Sequence, residues 1–234
     1  MIHPPSLAIG AGIASVVIIV AFLTFNTFND KPELVTAPTP TIQESGPAKI
    51  TAATFLENGS PILGDPNAPI TLVEFGDYQC FFCNKFFHET EDALLKNYIE
   101  TGKVKVIFKD FTIIGADSIT AANAAHCASD QGKFWEYHDT LYNHWTGENN
   151  GWASLDNLLQ FAGDLGLDID EFSKCMTDSK YAQSITNSNQ DAKDLGLTGT
   201  PAFFIIDQNN KVTKIGGAQP YDVFEKIFNS KLEK

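Results

Sequence analysis

The sequence predicts an α/β domain with a long helical insertion, preceded by an N-terminal transmembrane helix and a linker. Three observations predict it. First, an apolar run at residues 70–75, an amphipathic stretch at 84–99 and an alternating run at 103–111 read as strand, helix and strand. A β-α-β unit of this size implies parallel strands and a right-handed crossover. Second, residues 117–196 read as helices only, so they interrupt the sheet. Third, an apolar strand at 202–206, a turn at 207–210, a pairing run at 211–215 and a helical pattern at 221–232 close the domain.

The first 28 residues read as a membrane anchor or signal. Residues 7–25 carry no charge, and about 20 apolar residues span a bilayer. The flank before them holds only the amine and His3, and no small-residue cleavage site follows, so an uncleaved anchor is the preferred reading. Lys31 is offset by Asp30 and Glu33, which leaves the orientation weakly determined. Residues 29–52, rich in Pro and Thr, read as a flexible linker. Asn58-Gly59-Ser60 reads as a hairpin turn and is also a glycosylation sequon.

In the 84–99 helix, Phe82, Phe86, Leu94, Leu95, Tyr98 and Ile99 fall near one face, and Gly102 ends it. The insertion breaks into helical stretches at 117–130, 134–145, 154–165, 168–177 and 180–195. Ser154 and Asp168 are candidate caps, and Gly166 and Gly196 are stops. Trp135, Trp145, Trp152 and Phe134 read as its core. The 16 basic residues against 29 acidic give a formal charge of −13, which argues against nucleic acid as a partner, because phosphate binding needs a basic face.

The chemistry centres on Cys80-Phe81-Phe82-Cys83, at the junction of the first strand and its helix. A cysteine at a helix N-terminus meets the positive end of the helix dipole, which favours the thiolate, the attacking species. Two residues of spacing let Cys83 reach back and close a disulfide.

Residues 63–83 (LGDPNAPITLVEFGDYQCFFC), 121–142 (AANAAHCASDQGKFWEYHDTLY) and 195–205 (LGLTGTPAFFI) together resemble the DsbA-like thiol–disulfide oxidoreductases. The resemblance runs from about residue 53 to the C-terminus. It implies a thioredoxin fold with an inserted helical domain: first half at 53–116, helical insertion at 117–196, second half at 197–234. It implies Cys80 as attacking cysteine, Cys83 as buried resolving partner and Glu74 as the buried acid that relays a proton to Cys83. Lys109, from its place on the second strand, reads as an ionic partner of Glu74. Thr200 and a cis Pro201 would face the dithiol and bind substrate, with Phe81 and Phe82 adding apolar surface.

The Phe81-Phe82 pair departs from the Pro-His pair of the best-known family member, which removes an imidazole from the thiolate and implies a less oxidising couple. Cys127 and Cys175 form a second disulfide, remain two buried thiols, or join His126 and His88 in a zinc site. The expected activity is oxidation of dithiols in unfolded, exported proteins, with no cofactor beyond the redox-active disulfide and no metal. The reoxidant would be a membrane protein resembling DsbB or a vitamin K epoxide reductase homologue, with the domain outside the cytoplasm. The alternatives are a reductase or isomerase, and a non-catalytic chaperone of the same fold.

Overall fold

A computed structural model describes residues 50–233. The expected span at residues 7–25 and most of the linker lie outside the described residues. Among the described residues no helix is long and apolar enough to cross a membrane.

A four-stranded sheet of order β2-β1-β3-β4 forms the frame. Strand β1 (Ile70–Gly76) pairs in parallel with β2 (Val104–Asp110) and antiparallel with β3 (Ala202–Ile206), which pairs antiparallel with β4 (Val212–Gly216). Strand β1 is central and covered on both faces, so its apolar run is near-continuous, with Val73 and Phe75 fully buried. A short helix α1 (Ala52–Leu56) precedes it. Helix α2 covers residues 81–99 and crosses over from β1 to β2. The insertion comprises α3 (Ala116–Ser129), α4 (Phe134–Asn143), α5 (Leu155–Asp164), α6 (Ile169–Thr177) and α7 (Ala182–Asp194), and α8 (Tyr221–Leu232) ends the domain. Ser154 and Asp168 cap α5 and α6, accepting from the backbone N–H of Asn157 and Glu171.

One face of the sheet packs Phe203 against Phe86 of α2 and Phe224 of α8, with ring centroids 4.5 and 5.0 Å away. A second core fills the insertion and runs without a break from Phe134, Tyr137 and Leu141 to Tyr78, Cys80 and Cys83. The dithiol is therefore part of the interface between sheet and insertion.

Local readings are corrected at three places. Residues 52–56 form a helix, so Asn58-Gly59 turns a helix into the chain that follows and joins no hairpin; the backbone of Asn58 is left-handed (φ 57°). Leu63 makes a lone bridge to Val106. Helix α2 starts at Phe81, three residues earlier than the periodicity predicts, and Phe82 in its first turn is 55% exposed rather than on the core face. Trp135 and Trp145 are only partly buried, while Phe134 and Trp152 are core.

Candidate active site

Strand β1 ends at Gly76, and the next three residues turn the chain into α2. Asp77 makes that turn: its Oδ1 accepts from the Gln79 N–H (2.8 Å) and its carbonyl from the Cys80 N–H (3.0 Å). Cys80 is the N-cap residue of α2, in extended backbone conformation, and Cys83 lies one turn on in the helix. Both are free thiols; Cys83 is fully buried and Cys80 is 5% exposed.

Their titration is split. The Cys80 thiol is lowered from 9.0 to about 6. The largest cause is the hydrogen bond donated by the Cys83 thiol; burial opposes it, and the Thr200 side chain and the N–H groups of Cys83 and Phe82 assist. Cys83 is pushed well above the usual thiol range, chiefly by burial, then by its bond to Cys80. At neutral pH the pair is one thiolate and one thiol, the distribution that an attacking and a resolving sulfur need.

Across from Cys80 lies the Thr200–Pro201 peptide, in the cis form, leading into β3. The Cys80 thiol donates to the Thr200 carbonyl at 3.4 Å. Phe81 and Phe82 stand in edge contact (5.3 Å) on the outer side of the helix start, 49% and 55% exposed, and Phe81 also meets the Trp145 ring at 5.9 Å. An exposed aromatic patch thus borders the reactive sulfur.

Glu74 points into the core beneath the dithiol, 4% exposed. Its carboxyl is raised well above the usual range, first by burial and then by the charges of Glu91 and Cys80. Lys109 is not its partner. Phe75, not Glu74, is the register neighbour of Lys109, so alternation sends the lysine to the other face of the sheet. There the Lys109 ammonium, fully buried, bonds Asp191 at 2.7 Å and the carbonyls of Thr54 and Glu57 at 3.0 and 2.5 Å. The lysine ties α1 and α7 to β2 and leaves Glu74 without a cation.

The sequence reading missed the residues that hold this frame. The second oxygen of Asp77 accepts from the N–H groups of Ile113 and Ile114 (2.8 and 3.0 Å), fixing the loop after β2. From the loop between α4 and α5, Trp145 donates its indole N–H to the Gln79 carbonyl (2.9 Å), the Asn149 N–H donates to Gln79 Oε1 (2.9 Å), and Glu148 accepts from the Phe81 N–H (3.1 Å). The Gly76-Asp77 turn was a local signal for Asp77. No local pattern marks Glu148, which reaches the site from 67 residues away.

Cys127 of α3 and Cys175 of α6 are joined by a disulfide with Cα atoms 5.8 Å apart. His126 instead pairs with Asp110 (2.7 Å) and stacks on Tyr181, so three residues of the zinc alternative, Cys127, Cys175 and His126, are engaged elsewhere.

A family model described as Thioredoxin matches residues 57–229. Among curated proteins, the "Disulfide bond formation protein D" of Bacillus subtilis is 26% identical over 182 residues, covering 75% of this chain and 78% of that protein. A "Na(+)/H(+) antiporter NhaA 1" of Salinispora arenicola is 32% identical over 146 residues, which cover 62% of this chain but only 21% of the antiporter. Among solved structures, alpha-DsbA1 of Wolbachia pipientis superposes with a TM-score of 0.68 at 28% identity, over 77% of this chain and 96% of that one.

Proposed function

The chain belongs to the thioredoxin family and is a thiol–disulfide oxidoreductase, and from that premise we propose that it works as an oxidase, passing the Cys80–Cys83 disulfide to unfolded proteins outside the cytoplasm. The observation that carries this reading is the split pair: Cys80 lowered to about 6 beside a buried Cys83. A stabilised Cys80 thiolate favours the reduced form of the enzyme and so favours giving the disulfide away. Substrate thiolate attacks the Cys80 sulfur of the oxidised enzyme, the S–S bond breaks and Cys83 leaves. A second substrate thiolate then attacks the mixed disulfide at the substrate sulfur and releases Cys80 as thiolate. Thr200 and Pro201, together with the exposed rings of Phe81 and Phe82, form the edge against which an extended substrate lies.

The Cys127–Cys175 disulfide supports an oxidising compartment, where such bonds persist. Residues 7–25 supply the anchor in this reading, and a membrane disulfide carrier of the DsbB or vitamin K epoxide reductase kind re-forms the Cys80–Cys83 bond. The test is oxidation of a reduced, unfolded ribonuclease by the oxidised protein, with Cys80→Ser as control. One disulfide should form in ribonuclease per enzyme consumed, and none with the variant. A variant as active as the parent overturns the reading.

A further inference from the structure

In the activity above Cys83 must gain and lose a proton, and the charge of Glu74 acts on it from beneath, yet neither reaches solvent at the active-site face: Cys83 is fully buried and Glu74 is 4% exposed. A route exists on another side. A cavity of about 310 Å³ opens on the flank of α2 against α4, lined by Phe87, His88, Glu91, Asp92, Trp135 and Asp139 among others. Helix α2 widens there into a π-helical turn over Phe87–Glu91, and again over Leu95–Ile99; such distortions are frequent at functional sites.

Glu91 ends that turn with its side chain 17% exposed and its Oε1 4.0 Å from Nε2 of the buried His138. The Nδ1 of His138 lies 3.0 Å from the Tyr78 hydroxyl. The His138 ring packs on Phe108 (4.9 Å) and Tyr142 (5.0 Å). Phe108 in turn covers Gly76, where a Cβ would stand 2.4 Å from the ring and 3.4 Å from Glu74 Oε1. Within this cluster, His138 Nε2 and the Tyr142 hydroxyl are buried without a hydrogen-bond partner among the described residues, and the charges of both Glu74 and Glu91 act on Tyr142.

We propose that Glu91 is the solvent port of the dithiol: it carries protons between the side cavity and Glu74, which exchanges them with Cys83. The proposal rests on the oxidoreductase reading. When substrate thiolate attacks Cys80, the S–S electron pair leaves on Cys83. Glu74 gives its carboxyl proton to that sulfur, Glu91 restores the proton of Glu74, and water in the cavity restores that of Glu91. Reoxidation by the membrane disulfide runs the protons outward. Glu91 touches no reacting atom and acts through Glu74.

The groups facing Glu91 suit this role. Burial, then the Asp139 charge, lifts Glu91 to about 8, so it holds a proton at neutral pH and releases it just above. Asp139, at the rim, is raised to about 6, while burial lowers His138 to about 3 and keeps it neutral. Tyr78 and Tyr142 are raised and stay protonated. His88 and Asp92 complete the rim from α2 itself.

The test is single-turnover reduction of the oxidised full chain by dithiothreitol from pH 5 to 9, with rates corrected for the thiolate fraction of the reductant. The parent should show a bend near pH 8. In Glu91→Gln the bend should vanish and the rate at pH 7 should fall roughly tenfold, while the Cys80 thiolate absorbance still titrates near 6. Asp139→Asn, at the exposed rim, removes a charge that raises Glu91 and should move the bend to lower pH, a readout that does not need Glu91→Gln to fold. An unchanged profile in the variants overturns the port alone. An oxidised parent that leaves dithiothreitol unreacted overturns the oxidoreductase reading, and the port with it.

Discussion

The site departs from the Pro-His pattern at two residues, and what replaces the imidazole matters for the attacking sulfur. Phe81 and Phe82 offer Cys80 no charge and no side-chain donor, yet its thiol is still lowered to about 6, because Cys83 donates to it and the helix N–H groups face it. One group works against this. The Glu148 carboxylate accepts from the Phe81 N–H at the same helix start, placing a negative charge beside the developing thiolate. Glu148→Gln keeps an acceptor for that N–H and removes the charge. The expected outcome is a Cys80 titration about 0.3 pH units lower, small because Glu148 is exposed and screened. The couple should become more oxidising by roughly 10 mV. Thiolate absorbance and equilibration with glutathione measure the two, and a Cys80 titration that moves up or a couple that becomes less oxidising would contradict the placement of the charge.

At the scale of elements, local chemistry was legible and distant chemistry was not. Strand β1, the Cys80 helix start and the Ser154 and Asp168 caps were readable because each is set by neighbours within four residues. Glu74 was readable as buried because Val73 and Phe75 flank it in a central strand. The Lys109 pairing failed because face depends on register, and the register places Lys109 beside Phe75. The π-helical turn at Phe87–Glu91 was invisible for a related reason: a 3.6-residue period says nothing of one widened turn. The Cys127–Cys175 disulfide belongs to this scale, since it staples α3 to α6 across 48 residues. Closing a loop of that length removes chain entropy equivalent to about 4 kcal/mol, and natural disulfides deliver about 2–5. Cys127→Ala/Cys175→Ala should lower the unfolding free energy of the oxidised protein by about 2–4 kcal/mol. Urea titration reads this, and a loss under about 0.5 kcal/mol would mean the two helices hold together without it.

For the whole molecule, the redox state and the stability of the fold are linked through one proton. In the reduced chain the folded-state value of Cys80, about 6, lies below the 9.0 of an unfolded thiol. A depressed value stabilises the fold in full above pH 9 and loses that contribution as pH falls through 6. The oxidised chain has no such thiol. The raised carboxyls of Glu74, Glu91 and Asp139 oppose folding as pH rises in both redox states, so they largely cancel in the comparison. Cys83 stays protonated across this window, because its folded-state value lies above that of a free thiol. Between pH 6 and 9 the stability of the reduced form relative to the oxidised one should therefore climb by about 1.4 kcal/mol per pH unit, and it should be flat below pH 5. Urea unfolding of both forms at pH 5, 6, 7 and 8 measures the difference. A rising difference means that the Cys80 thiolate stabilises the folded dithiol, a contribution that favours passing the disulfide to a substrate. A difference that stays flat or falls over this range would contradict the depressed value of Cys80 in the folded dithiol.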